Sequence, residues 1–385
     1  MNQVITGLEH ALQAPPTVLT GKRLGLLTNP SGIDRTFRST IDLFVSHPDL
    51  DLRALFGPEH GVRGEAQAGD HVAGGLDPRT GLPVHSLYGA TRVPTADMLR
   101  GIDTMVIDLQ DVGVRYATYL STVAHVLDAC HTQGITVVVL DRPNPLGGAY
   151  VAGNVLEPAY ASFVGIHTIP TCHGLTIGEF ARLWSQDHDL AVPVAIPMSG
   201  WNRSMTYDAT GLPWVFPSPN LPTLDSVKIY PATCLIEGTT LSEGRGTTRP
   251  FEIIGAPWIE PQILADSIEQ RDLPGIAARP LYFTPTFSKH AGERCGGVQL
   301  SITDDASFDS VGFGVHLLAV LHELGGDQFA WLPPQGDRHF IDLLCGTDAV
   351  RQVIDNHEDV EDLLAGWQED ARAFAHRRSD MLLYD

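Results

Sequence analysis

The segment TMVIDLQDVGVRYATYLSTVAHVLDACHTQGITVVVLDRPNP, Thr104 to Pro145, decides the fold class. Its flanking runs, TMVIDL and ITVVVL, are nearly continuous in apolar residues, as strands covered on both faces should be. Between them Tyr116, Leu120, Val123, Leu127 and Cys130 recur at three- or four-residue spacing, which gathers them on one face of a helix, and Gly134 supplies its stop. Strand, helix, strand in that order predicts a largely parallel sheet with crossover helices. Working outward, RLGLLT, LRALF and VPVAIP read as further strands, so the alternation holds through about residue 200. Thr176 and Glu179 in LTIGEFARLW match a capping box, which places a helix start at Thr176 with Ile177, Phe180 and Leu183 or Trp184 facing inward.

From Trp201 to about Pro250 the alternation fades into a Pro, Gly and Thr-rich stretch. Irregular segments that long are commonly functional. Beyond it come two strand-like runs, LYFTPTF and GVQLSIT, then helices marked by Val311, Val315, Leu318 and Leu321 and by Val360, Leu363, Trp367, Ala371 and Phe374. The expected organisation is an α/β catalytic domain over 1–250 and a smaller α+β domain over 251–385 that closes a cleft. No internal repeat or low-complexity tract interrupts either part.

Composition narrows the function classes. The 385 residues are 43% hydrophobic, enough for one large and one small core. With 25 Lys plus Arg against 46 Asp plus Glu, the net charge of −21 repels phosphate backbones and anionic lipid surfaces, so neither nucleic acid nor a membrane is an expected partner. Five cysteines without a C-x-x-C pair signal neither a disulfide framework nor a structural zinc site. The first residues show no basic region followed by an apolar run, which favours a cytoplasmic location. Phosphate-loop, dinucleotide, zincin and serine-hydrolase motifs are absent, and the sixteen histidines lack metal-ligand spacing; no cofactor and no metal are expected.

Polar, turn-rich clusters follow the strands. TNPSG holds Asn29, GPEHG holds Glu59 and His60, DLQDVG holds Asp108, Gln110 and Asp111, and DRPNP holds Asp141, Arg142 and Asn144. Ligands of open parallel sheets bind outside the carboxyl ends of the strands, so these clusters are expected to line one crevice, with Arg63, Arg115 and Arg142 nearby. Taken singly, each cluster is also ordinary turn chemistry. Glu59 stands between Pro58 and sharp turns at Gly57 and Gly61, the stiff setting a general acid needs, and burial would raise its pKa towards neutrality. An ion pair with Arg63 is the bland alternative. Glu237 and Glu243 lie in CLIEGTTLSEGRG beside Arg245, and paired carboxyl groups are what glycosidic cleavage commonly uses. Tyr116, Tyr119, Trp201, Trp214 and Trp258 offer flat faces for a sugar ring, or else pack the core.

The runs LLTNPSGID, LFGPEHGVRG, VIDLQDVGVRYATYLST, VLDRPNPLGG, SFVGIHTIPTCHGLTIGE, SPNLPT, EGTTLSEGRGTTRPFEIIGAPW and PTFSKHAGERCGGVQ closely resemble the bacterial exo-β-N-acetylmuramidases of glycoside hydrolase family 171, from about Leu24 to Gln299. The resemblance implies a Rossmann-like α/β domain, a smaller second domain, and release of N-acetylmuramic acid from the non-reducing end of peptidoglycan fragments. It puts the catalytic acid at Glu59 and leaves the second group open among Asp108, Asp111, Asp141, Glu237 and Glu243, with Glu243 and Asp111 taken first. His173 and Asn220 fall in shared motifs and join the binding candidates. The substrate's lactyl carboxylate calls for a local cation against the global negative field; Arg63, Arg115, Arg142 or Arg245 is expected to supply it. Two rivals stand beside this reading: a non-catalytic muropeptide-binding protein, and an exo-glycosidase for another N-acetylhexosamine.

Overall fold

The computed structural model describes residues 3–64, 66–67, 69–70, 74–334 and 336–385. Its strands are β1 (Arg23–Thr28), β2 (Asp51–Gly57), β3 (Gly75–Leu76), β4 (Pro83–Ser86), β5 (Thr104–Asp108), β6 (Thr136–Leu140), β7 (Ala152–Val155), β8 (Pro170–Cys172), β9 (Val194–Ile196), β10 (Ile253–Ala256), β11 (Ile276–Phe283) and β12 (Cys295–Ile302). Its longer helices are α1 (Gly7–Gln13), α2 (Thr40–Ser46), α3 (Tyr119–Thr132), α4 (Ile177–Asp187), α5 (Leu224–Thr233), α6 (Pro261–Glu269), α7 (Ser310–Gly325), α8 (Phe340–Cys345), α9 (Ala349–Asp355) and α10 (Glu361–Arg377).

The central sheet runs β3-β4-β2-β1-β5-β6-β9, parallel throughout except for the β3 edge. Period-two alternation splits each strand between two cores. Leu24, Leu26, Leu55, Val106 and Val138 meet Leu8, Ile41 and Phe44 of α1 and α2 on one face. Leu27, Phe56, Met105, Ile107 and Val139 meet Leu120, Val123, Phe180 and Leu183 of α3 and α4 on the other. Burial on both faces is why these strands read as unbroken apolar runs. Strand order reverses between β1 and β5, and the loops after β1, β2, β5 and β6 converge there.

A second unit holds the antiparallel sheet β10-β12-β11 and its own core, with Val227 and Ile229 of α5, Ile254, Val298, and Val315 and Leu318 of α7. Several elements depart from expectation. The stretch expected to be irregular contains α5, begun by a capping box of Thr223 and Ser226 and carrying Pro231 inside its last turn. A two-stranded ribbon, β7 with β8, lies between β6 and α4. LYFTPTF enters a strand only as far as Phe283, at the end of a β11 that starts at Ile276. The helix expected from Tyr116 begins at Tyr119, while the Thr176 capping box forms as read. Among the described residues, no helix is long and apolar enough to cross a membrane.

Candidate active site

A cavity of about 430 Å³ opens between the sheet's loops and the second unit, within the size range of small-molecule pockets. Glu59 reaches it from the loop after β2. The chain turns there through a Gly61 N–H to Pro58 carbonyl bond of 3.0 Å, and His60 adopts a left-handed φ of 73°, a strained conformation for a side chain with a Cβ. The carboxyl is held from two sides: Thr118 Oγ1 donates to Oε2 at 2.7 Å and the Gly69 N–H donates to Oε1 at 3.1 Å, with Tyr88 beside them in the cavity wall. Burial, reinforced by the Glu59 charge, raises the Tyr88 phenol above its ordinary range.

His60 is buried beside Glu59, and its Nδ1 lies 3.0 Å from the Ala66 carbonyl. A carbonyl only accepts, so Nδ1 carries the proton and Nε2 keeps a lone pair. Desolvation lowers the imidazole's pKa against the pull of Glu59. His60 therefore enters the pocket wall as a neutral ring.

The second unit contributes a four-charge cluster. Arg245 Nη2 donates to Glu237 Oε1 at 2.6 Å, Arg245 Nε lies 3.2 Å from Glu243 Oε1, and Lys289 Nζ lies 3.1 Å from Glu243 Oε2. Lys289 also donates to the carbonyls of Ile236 and Leu241, both at 2.9 Å. Arg245 owes its position to the glycines on either side, both left-handed. A Cβ on Gly246 would lie 2.6 Å from the Phe287 backbone, and one on Gly244 would lie 2.4 Å from the Ile253 carbonyl. Burial raises the pKa of Glu237, and the neighbouring Glu243 adds to it against the attraction of Arg245. Arg245 Nη1 is buried without a partner among the described residues, although the residue lines the cavity.

The other sequence candidates distribute unevenly. Tyr119 lines the pocket with its hydroxyl bonded to the Pro217 carbonyl, and Tyr116 lines it too. Asn220 is buried beside the lining residues Ser218 and Leu221, with Nδ2 3.4 Å from Gln67 Oε1. Asn29, Asp108, Gln110, Asp111, Asp141, Arg142, Asn144 and His173 are all buried and are not among the lining residues. They stitch the strand-end loops together instead. Arg142 grips Asp108 through Nε at 2.5 Å and Nη2 at 3.0 Å, and Asp111 accepts from the Gly113 N–H at 2.8 Å with His173 at 3.4 Å. Gln110 donates to the Pro143 carbonyl and Asn144 to that of Leu175. Asp141 accepts from Thr176, Gly178 and Tyr384, and burial pushes it up to about 6.

Two of the four arginines expected to meet a carboxylate ligand are buried and bonded to protein groups away from the cavity. Arg115, 1% exposed, donates to the carbonyls of Asn154, Ile169 and Cys345 at 2.7 to 2.8 Å, and Arg142 is committed to Asp108. Arg63 forks onto Asp77 at 2.9 and 3.1 Å rather than pairing with Glu59. Arg245 alone of the four lines the cavity. Of the expected aromatic platforms, Trp201 and Trp214 pack edge-on against Tyr384 and Tyr207, and Trp258 against His290.

Sequence reasoning missed Tyr88, Thr118 and Lys289. Tyr88 follows β4, a short strand that was not read as one; had it been, the rule that loops after parallel strands carry the site would have pointed there. Lys289 stands inside the PTFSKHAGERCGGVQ run and was open to selection as its cation.

Comparison with known proteins agrees across the whole length. The family described as exo-β-N-acetylmuramidase NamZ, N-terminal, matches residues 24–225, and its C-terminal counterpart matches 228–384. The peptidoglycan β-N-acetylmuramidase NamZ of Bacillus subtilis (strain 168) is 45% identical over 383 residues, covering 99% of this chain and 92% of the relative. Two crystal structures of DUF1343 family proteins from Bacteroides fragilis NCTC 9343 share the fold. One has a TM-score of 0.91 at 37% identity and the other 0.80 at 30%, each match covering 100% of this chain and 99% of the other.

Proposed function

The chain belongs to the exo-β-N-acetylmuramidase NamZ family, and from that premise we propose that its cavity holds the terminal sugar of a peptidoglycan fragment while Glu59 and Glu237 cleave the bond behind it. The protein is a glycosidase that releases N-acetylmuramic acid from the non-reducing end of such fragments. The supporting observation is the presence of both carboxyl groups, one from a sheet loop and one from the second unit, around a single cavity with Tyr88 near each. Glycoside hydrolysis needs a proton donor at the departing oxygen and a second carboxylate that attacks or activates water.

In this reading Glu59, held rigidly by Thr118 and Gly69, protonates the departing oxygen as the bond to the anomeric carbon breaks. Glu237 removes a proton from the incoming water, and burial, by raising its pKa, makes it a stronger base than an ordinary carboxylate. Glu243 is spoken for by Arg245 and Lys289, and Asp111 by Gly113 and His173, so both serve as supports. Arg245 takes the lactyl carboxylate through its unpartnered Nη1. That raised pKa of Glu237 also favours a second assignment, with Glu237 as acid and Glu59 as its partner.

A chromogenic aryl β-N-acetylmuraminide tests the reaction: no aryl release by folded protein sinks the glycosidase reading. The same substrate separates the two assignments, because a good leaving group needs little protonation. The variant lacking the acid should lose about 100-fold or more on a disaccharide and far less on the aryl glycoside. Glu59→Gln is expected to show that pattern and Glu237→Gln to lose on both.

The fold and setting are read in the same way. The parallel order β4-β2-β1-β5-β6-β9 supports calling the sheet Rossmann-like. The core that α5 shares with α7 supports drawing the boundary between the two domains before α5 rather than at 250. Five buried free cysteines support a reducing, cytoplasmic setting, with imported wall fragments as substrate.

A further inference from the structure

The wall of the cavity beside Glu59 continues outward as an ordered stack. Tyr88 lines the cavity together with Glu59, whose charge it feels. Its ring centroid stands 5.9 Å from that of Phe163, whose chain neighbour Val164 also lines the cavity. The Arg92 guanidinium carbon sits 4.1 Å from the Phe163 centroid and 5.6 Å from that of Tyr88, while His125 stacks on Phe163 at 6.1 Å and 15°. Arg92 is exposed, and among the described residues no carboxylate is within ion-pair reach of it. Two aromatic faces thus hold in place a cation that no carboxylate among the described residues neutralises, at the rim of the wall that carries Glu59.

Taking Glu59 as the donor, the departing sugar must stand on the Glu59 and Tyr88 side, since the acid has to reach the departing oxygen. The chain leaving the pocket then passes along Tyr88 towards Phe163 and Arg92. In a peptidoglycan fragment the first departing sugar is uncharged, while the next is a muramic acid that carries a carboxylate, either on its own lactyl group or on an attached peptide. We propose that Arg92, braced on Phe163 and Tyr88, binds this carboxylate beyond the scissile bond and makes the enzyme prefer fragments longer than a disaccharide. This rests on the reading of the pocket above. Arginine is suited to the task because its planar fork stacks on an aromatic face while its edge pairs with a carboxylate. The need is set by the whole molecule, whose net charge of −21 repels an anionic chain until a local cation offsets it.

The test compares three substrates: the N-acetylmuramyl–N-acetylglucosamine disaccharide, the peptide-free tetrasaccharide, and the tetrasaccharide bearing a peptide on its second muramic acid. The readout is kcat/KM on each tetrasaccharide divided by kcat/KM on the disaccharide. Arg92→Gln should lower that ratio about three- to ten-fold, with Arg92→Glu lowering it further. Arg53→Gln, which removes the same charge from an exposed site paired only with Asp51, should leave it in place. A fall with the peptide-free chain identifies the lactyl carboxylate; a fall confined to the peptide-bearing chain identifies the peptide. An unchanged ratio in both arms, or an equal fall in Arg53→Gln, overturns the proposal. Failure of the wild type to cleave the disaccharide would count against the glycosidase reading instead. In that event calorimetric Kd values for the same ligands still decide the role of Arg92, since charge recognition does not depend on turnover.

Discussion

Arg245 pairs with Glu237 and with Glu243 through one guanidinium, and its Nη1 is buried without a partner among the described residues, which makes it the group proposed to take the lactyl carboxylate. Replacing it with methionine removes the cation while keeping much of the side-chain volume. The lost charge-assisted bonds to a lactyl carboxylate are worth about 1.5–3 kcal/mol, or roughly ten- to 150-fold. Arg245→Met is therefore expected to erase most of the preference for muraminide over glucosaminide substrates, measured as the ratio of kcat/KM on the two aryl glycosides. Equal preference in variant and wild type would remove Arg245 from the recognition of the acid group. At this scale the residues that line the cavity were legible where backbone constraint and charge coincide, as in PEHG around Glu59 and SEGRG around Arg245. Asp108, Asp111, Asp141, Arg142 and His173 were expected to line the crevice and do not line the cavity, because polar residues after strands satisfy loop N–H and C=O groups as readily as they face a pocket. Telling the two apart needs the burial of each side chain, which depends on contacts far away in the chain.

Helix α8 forms part of the pocket wall through Phe340 and Leu344, and a side chain from the other unit holds its carboxyl end. Arg115 donates to the Cys345 carbonyl at 2.8 Å and, on its other branch, to Asn154 of β7 and to Ile169 just before β8. Helix carbonyls carry partial negative charge, so a buried cation without a carboxylate partner is tolerable there. Burial nevertheless lowers Arg115 to about 10. Arg115→Met leaves the Asn154 carbonyl without its donor and takes one of two donors from Ile169 and Cys345, which keep the Leu156 N–H and Asn154 Nδ2; this predicts a loss of about 1–3 kcal/mol in urea unfolding. Arg115→Lys should recover part of it, and a methionine variant as stable as the wild type would refute the clasp. None of this could be read from Arg115 in its sequence setting, where a strand-end arginine looks like a ligand. The elements themselves were more legible: β1, β2, β5 and β6, buried on both faces, and α4, begun by a capping box, emerged from pattern alone. Helix α5 did not, because Pro231 and the surrounding prolines and threonines read as loop while its helical state is supplied by packing against α7. The β7–β8 ribbon escaped for a related reason: two strands of three or four residues carry too few alternations to register.

Across the whole molecule two buried titrating groups pull stability in opposite directions over one pH window. Asp141 is raised to about 6 by burial, so its folded form favours the proton; the stability it contributes is complete below about pH 4 and is lost as pH rises through 6. His167 is lowered to about 4, chiefly by burial and against the pull of Asp187 at 2.9 Å, so its folded form favours the neutral ring. Its contribution is complete above about pH 6.5 and is lost as pH falls towards 4. Each shift is about two pH units, on the order of 3 kcal/mol, and between pH 4 and 6 the two nearly cancel. Asp141→Asn removes one side of the balance and leaves the other. The melting temperature of the variant should therefore fall more steeply than that of the wild type on acidification from pH 6.5 to 4. The slope is the readout because the amide also disturbs the bonds from Thr176, Gly178 and Tyr384, an effect that does not vary with pH. Relief of the −21 net charge on acidification is nearly common to both proteins and drops out of the comparison. Parallel curves would mean that Asp141 stays ionised in the fold, held so by its three donors. The junction between the sheet and the chain's last residues would then rest on a buried charge rather than on a shared proton.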